Sequence, residues 1–188
     1  MRSPDEAQAS RGEPRIRMAT AWLTGCAGCH MALLDLDERL LELLEKVEFV
    51  ASPIMDVKEL PECDVMLVEG GVGTSADLHK LRILRRRSRV LVAIGDCAAM
   101  AGIPTLRNAR PCREALERAY LETESSATLV LPELDLPELL PEVRPIQSYV
   151  TVDAWVPGCP PRVEALWAAL QGLLGAPAAD RTVKLRYD

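Results

Sequence analysis

Thr24-Gly25-Cys26-Ala27-Gly28-Cys29-His30 follows the apolar run Met18-Ala19-Thr20-Ala21-Trp22-Leu23 and precedes a leucine-rich stretch from about Met31 to Leu44. The run before it reads as a strand, roughly Arg15 to Leu23. After it, Leu33, Leu34, Leu36, Leu40, Leu41, Leu43 and Leu44 interleave with Asp35, Asp37, Glu38, Arg39 and Glu42. That is the helical period, not the strand period. Gly25 and Gly28 let the backbone turn tightly around the two cysteines. Strand, cysteine turn and helix make one unit of an α/β protein, with a claw for a metal or a redox dithiol at its mouth.

The same unit recurs along the chain. Val47 to Ala51 is a second strand, closed by Pro53. Asp64 to Glu69 is a third, its continuous apolar run suiting a strand buried on both faces. It ends in Gly70-Gly71-Val72-Gly73, and Thr74-Ser75 opens a helix reaching about Arg87. Arg89 to Ile94 is a fourth strand, ending in Gly95-Asp96-Cys97, where a short Ala-rich helix begins. A further helix is expected from Pro111 to Leu121, and a small extra strand at Ala127 to Leu131. Pro132, Pro137, Pro141 and Pro145 make the next segment an expected loop, unable to join a central strand or a long helix. Val152 to Val156 is a last strand, ending in Pro157-Gly158-Cys159-Pro160-Pro161, and a final helix runs to about Leu174.

Strands alternating with helices imply an α/β fold, a parallel sheet with helices on both faces. A flavodoxin-like strand order fits the unit count, with the dinucleotide-binding order as the alternative. The expected organisation is a flexible leader at 1–14, one domain at 15–175 and a loose tail at 176–188. At 188 residues the chain is long enough for a real core, and with aromatics at 4% that core must be aliphatic. A net charge of −6 argues against a nucleic-acid partner. The one dense basic run, Arg85-Arg86-Arg87 with Arg89, lacks aromatics and reads as the cap of a helix end. The first residues lack the apolar stretch of a secretory signal, and no run is long enough to span a membrane. The expectation is a cytoplasmic protein, in which six cysteines read as metal ligands, redox groups or buried thiols.

All strand C-terminal ends of a parallel sheet lie on one edge, and ligands bind outside it. Cys26 and Cys29 follow the first strand, Cys97 the fourth and Cys159 the last, so four thiols are expected to converge from three turns. Cys63 precedes its strand and belongs at the opposite edge, whereas Cys112 has no determined position. Four thiolates suit zinc or an iron–sulfur cluster. One close pair and two distant singles, on a domain with its own core, favour a cluster. Glycine turns at helix starts, and Pro160 directly after Cys159, point the same way. A thioredoxin-like pair with ordinary turn cysteines remains the alternative.

The motifs Cys26-Ala27-Gly28-Cys29, Gly95-Asp96-Cys97-Ala98 and Gly158-Cys159-Pro160-Pro161 resemble those that hold the proximal 4Fe–4S cluster in small subunits of nickel–iron hydrogenases. The resemblance covers about residues 15 to 175. The related complex I subunit has adjacent cysteines in its first motif, so the spacing here favours hydrogenase over that quinone-reducing alternative. Brevity makes the chain similar to the small subunit of soluble, bidirectional, NAD-reducing hydrogenases. The resemblance implies ligation of one 4Fe–4S cluster by Cys26, Cys29, Cys97 and Cys159, with no catalytic residue on this chain. It also implies a nickel–iron large subunit and a diaphorase module with flavin and iron–sulfur clusters as partners, and no membrane.

The remaining residues have plainer readings. Glu69, at the end of the third strand, is a candidate for proton movement, but a solvated or interface carboxylate is the simpler expectation. His30 is expected to pack or face solvent, and His79 to lie on the surface. Trp22, Trp155 and Trp167 read as core or interface residues. The Gly70–Gly73 turn with Thr74-Ser75 is a weak candidate for a phosphate, and so for FMN.

Overall fold

The computed structural model describes residues 15–125 and 130–175. The leader 1–14, the tail 176–188 and residues 127–129 of the expected small strand lie outside the described residues. The main sheet is built from β1 (Ile16–Trp22), β2 (Val47–Ala51), β3 (Cys63–Glu69), β5 (Ser88–Ile94) and β7 (Ala154–Val156). All pairings are parallel and the order is β2-β1-β3-β5-β7, the flavodoxin-like arrangement.

The strands alternate between two cores. Met18, Val65, Leu67, Val92 and Ile94 pack under α1 (Gly28–Leu34), α2 (Arg39–Lys46) and α6 (Val163–Gly175). Ala19, Ala21, Met66, Val68, Leu91 and Ala93 pack against Leu81 and Leu84 of α3 (Ser75–Arg87) and Ala98 of α4 (Gly95–Met100). Burial on both faces is why β3 reads as an unbroken apolar run. Among the described residues no helix is long and apolar enough to cross a membrane.

Two expectations are corrected. The single helix from Met31 to Leu44 is two, broken at Asp35–Glu38, where Asp37 takes a φ of +50°. Both pieces turn leucines to the same core, Leu33 from α1 and Leu43 from α2, so the period survives the break. The Pro-rich loop contains a strand, β6 (Leu139–Arg144), antiparallel to the short β4 (Val72–Thr74). This pair stands outside the main sheet, where Pro141 is tolerated because an edge position demands no ladder donor. The Asn108 side chain covers part of β6: its amide donates to Val143 O at 2.9 Å and its carbonyl accepts from Val143 N at 2.7 Å. The second short helix after α4 is α5 (Cys112–Tyr120).

The basic run behaves as a cap and as more than one. Arg85 donates to the carbonyls of Ser88 and Arg89 beyond the end of α3. It also pairs with Asp153, whose Oδ2 accepts from Leu91 N at 2.7 Å. That pairing fastens the approach to β7 onto β5.

Candidate metal centre

Three turns meet at the C-terminal edge of the sheet. The first leaves β1 and is bolted down before the cysteines arrive. Thr24 and Gly71 exchange backbone hydrogen bonds at 3.0 and 2.8 Å, and Thr24 Oγ1 donates to Asp77 Oδ2 at 2.7 Å. Asp77 also accepts from Gly73 N and Thr74 N, while its own N–H meets Thr74 Oγ1, a capping box on α3. The amides of Gly73 and Thr74 are therefore committed to a carboxylate. Gly70, at φ +88°, is required for a steric reason: a Cβ there would press on Leu23 C at 2.8 Å.

Cys26 and Cys29 then straddle the left-handed Ala27 (φ 64°) at the start of α1. Cys97 lies in the first turn of α4, and Cys159 in the turn after β7. Asp96 clasps these last two turns together, its N–H donating to Gly158 O at 2.9 Å and its Oδ1 accepting from Gly158 N at 2.7 Å.

Cys26, Cys97 and Cys159 line one cavity of about 410 Å3, walled also by Thr24, Ile103, Pro104, Arg107 and Val143. Cys29 approaches from the α1 side. Burial pushes its thiol up to about 12, helped by the Glu69 charge and then by Cys97, Cys26 and Cys159. Burial raises the Cys97 thiol too, next through Cys159, with Cys26 and Glu69 adding to it and a hydrogen bond involving the Ile103 backbone opposing it. Cys29 thus feels the other three sulfurs, and Cys97 feels Cys159 and Cys26.

Among the described residues no group of three or more His, Cys, Asp or Glu is arranged to hold a metal ion. A cubane spreads its thiolates around a volume, so its ligands line a cavity and do not close on one point. The backbone leaves that space open. At Gly95 (φ +81°) a Cβ would collide with Cys29 Sγ, and at Gly28 it would crowd Cys26 Sγ at 3.2 Å. Both ring nitrogens of His30 are buried without a hydrogen-bond partner, next to Cys29. A thiolate donor set, an open cavity and orphaned polar atoms beside it suit the group.

The other cysteines separate cleanly. Cys63 is buried at the first position of β3, the far edge of the sheet, as its place in the sequence demanded. Cys112 opens α5, where its Sγ accepts from Arg107 at 3.1 Å and donates to Leu140 O at 3.3 Å. His79 is exposed, and Trp155 and Trp167 are half-buried against the cores.

Glu69 is the main surprise. It is 2% exposed, not solvated. Position 69 follows Val65 and Leu67 in facing α1, so the carboxylate rises under that helix, and Oε2 accepts from His30 N at 2.9 Å. His30 Nδ1 also lies 2.9 Å from Oε2, but off the line of a hydrogen bond. The His30 ring meets Trp22 edge-on with centroids 5.7 Å apart. The Gly25–His30 loop and this ring pair cover Glu69, an arrangement that three-residue spacings in the sequence do not reveal.

Known proteins share this architecture. The family model described as NADH ubiquinone oxidoreductase, 20 Kd subunit, matches residues 26–173. The NAD-reducing hydrogenase HoxS subunit delta of Cupriavidus necator is 36% identical over 190 residues, covering 98% of this chain and 91% of that one. The sulfhydrogenase 2 subunit delta of Pyrococcus furiosus is 35% identical over 157 residues, covering 82% of this chain but only 60% of its own length. In a crystal structure of an NAD+-reducing [NiFe]-hydrogenase in the H2-reduced state, one chain is 43% identical. It superposes with a TM-score of 0.84, over 93% of this chain and 100% of that one. A chain of the [NiFeSe] hydrogenase from Desulfovibrio vulgaris Hildenborough, at 18% identity and a TM-score of 0.59, shares the fold.

Proposed function

Because this chain belongs to the family that the 20 kDa subunit of NADH ubiquinone oxidoreductase forms with hydrogenase small and delta subunits, we propose that it is the electron-transfer small subunit of an NAD-reducing nickel–iron hydrogenase. It is a non-autonomous part of a hydrogen:NAD+ oxidoreductase, standing between a nickel–iron large subunit and an NAD-linked diaphorase module, in the cytoplasm. The observation that carries this reading is the convergence of four thiols from three βα turns on one edge of the sheet.

Cys26, Cys29, Cys97 and Cys159 would hold the iron of a 4Fe–4S cluster. When bound, such a cluster supplies one-electron transfer. With a cysteine for each iron, no coordination position is left for substrate, so hydrogen chemistry belongs to the partner. The residues of this chain fix and shield the site. Asp96 locks the Cys97 turn to the Cys159 turn, and the Thr24–Asp77 network holds the Cys26 loop. Raised thiols must surrender their protons on metal binding, so loading releases protons and is favoured by higher pH.

The rim of the site supports a protein partner. Met31 and Leu34 on α1, and Met100, Ile103 and Leu106 after Cys97, are each at least half exposed. Exposed apolar side chains on and after the helices that carry Cys29 and Cys97 suit an interaction face. The complex I reading shares the family, but identities of 36% and 43% to NAD-reducing hydrogenase chains over nearly the whole chain favour hydrogenase.

The test is iron and acid-labile sulfide per chain in anaerobically purified protein, with EPR of the reduced sample. About four of each, lost in Cys97→Ser, is expected, with nickel in the co-purifying subunit. A protein without iron, but with a reversible Cys26–Cys29 disulfide, would leave a thiol-redox protein instead.

A further inference from the structure

Glu69 has no role in the relay as described, yet its position is costly. Carboxylates buried to 2% exposure are expensive unless paired and hydrogen-bonded. Here the donor is the backbone N–H of His30 at 2.9 Å, and the His30 ring lies beside the same oxygen. His30 directly follows Cys29, so this one hydrogen bond grips the end of the cysteine loop from the strand beneath it. Leu23 N donates to Glu69 O at 2.9 Å, which ties the start of the same loop to the same residue. Both ends of the Cys26–Cys29 loop are thus referred to position 69. The carboxylate charge also acts on two of the thiols, Cys29 and Cys97.

We propose that Glu69 is the positioning residue of the thiol site: its buried carboxylate pins the Cys26–Cys29 loop through the His30 N–H, and its charge holds down the reduction potential of the bound cluster. Adding an electron beside a fixed, buried negative charge is less favourable than adding it beside a neutral group, and low local dielectric enlarges the effect. The inference rests on the cluster ligation proposed above.

The experiment compares wild-type and Glu69→Gln holoenzyme by iron content and by EPR-monitored redox titration. Glutamine keeps an acceptor oxygen for His30 N and removes only the charge. Iron content should equal that of the wild type, and the reduction equilibrium should shift at least tenfold toward the reduced cluster, about 59 mV for one electron. Should Glu69→Gln fail to take up iron, Glu69→Asp and Glu69→Asn replace it, being equally short and different only in charge. Their potentials should separate in the same direction. Equal potentials in iron-replete proteins would overturn this inference alone, whereas a wild type without iron would overturn the ligation and the inference together.

Discussion

The two edges of the main sheet both carry a raised thiol. At the C-terminal edge Cys29 is pushed up to about 12, and at the N-terminal edge Cys63 to about 11. Burial is the largest cause in each case. The neighbours differ. Around Cys29 every further contribution is negative: Glu69, Cys97, Cys26 and Cys159. Around Cys63 the charges cancel in part, Asp64 raising the thiol while Arg17 and Arg85 lower it. A perturbed thiol alone therefore marks burial. Unrelieved like charge on converging ligands marks a place that a cation would relieve.

The sharpest way to break this contrast is to exchange thiols at the two edges. Cys97→Ser should reduce iron from about four per chain to near none, while Cys63→Ser should leave it unchanged. Equal losses in iron assays would show that thiol stability, not convergence, governs loading. Glycine gives the next effect. Gly95→Ala should expel the cluster or unfold the turn, because the new methyl group collides with Cys29 Sγ at a residue of φ +81°. Gly175→Ala meets nothing within 4 Å and should alter stability by no more than about 0.5 kcal/mol in urea melts.

Smaller effects sharpen the comparison. Asp96→Ala removes the carboxylate half of the clasp between two ligand turns and should cost about 1.5–3 kcal/mol, with iron lost faster to a chelator. Asp64→Asn disturbs an exposed pair with Arg89 at the other edge and should cost about 0–1 kcal/mol, with iron unaffected. The last effect is a slope, absent at neutral pH. The folded chain holds the Cys63 proton to about 11, against an ordinary value of 9.0 in the unfolded chain. Above pH 9 the unfolded chain binds fewer protons, so stability is full below that pH and is lost as pH climbs toward 11. Cys63→Ala should flatten this loss in melts from pH 8 to 11, whatever its effect at neutral pH.

Much of the site was legible because parallel topology is itself a prediction about position. A cysteine following a strand lies at the C-terminal edge and one preceding a strand lies at the opposite edge, which separates Cys97 and Cys159 from Cys63 before any coordinates exist. The break at Asp35–Glu38 was not legible, because two short helices facing one core preserve the leucine period of one long helix. Neither was β6. Proline rightly excluded the Pro-rich segment from the main sheet, but pairing with β4 needed only an edge position.

Sequence alone determined the α/β class and which cysteines follow a strand, because strand and helix periods and the parallel crossover leave few other arrangements. The choice of the flavodoxin-like order over the dinucleotide-binding one came from the structure. Tertiary structure alone decided that Asp96 clasps two turns, that Asp77 ties down Thr24, and that Glu69 is buried beneath His30. Those outcomes depend on side chains 39 to 62 residues apart meeting at hydrogen-bond distance. No local period encodes such a meeting; packing fixes it.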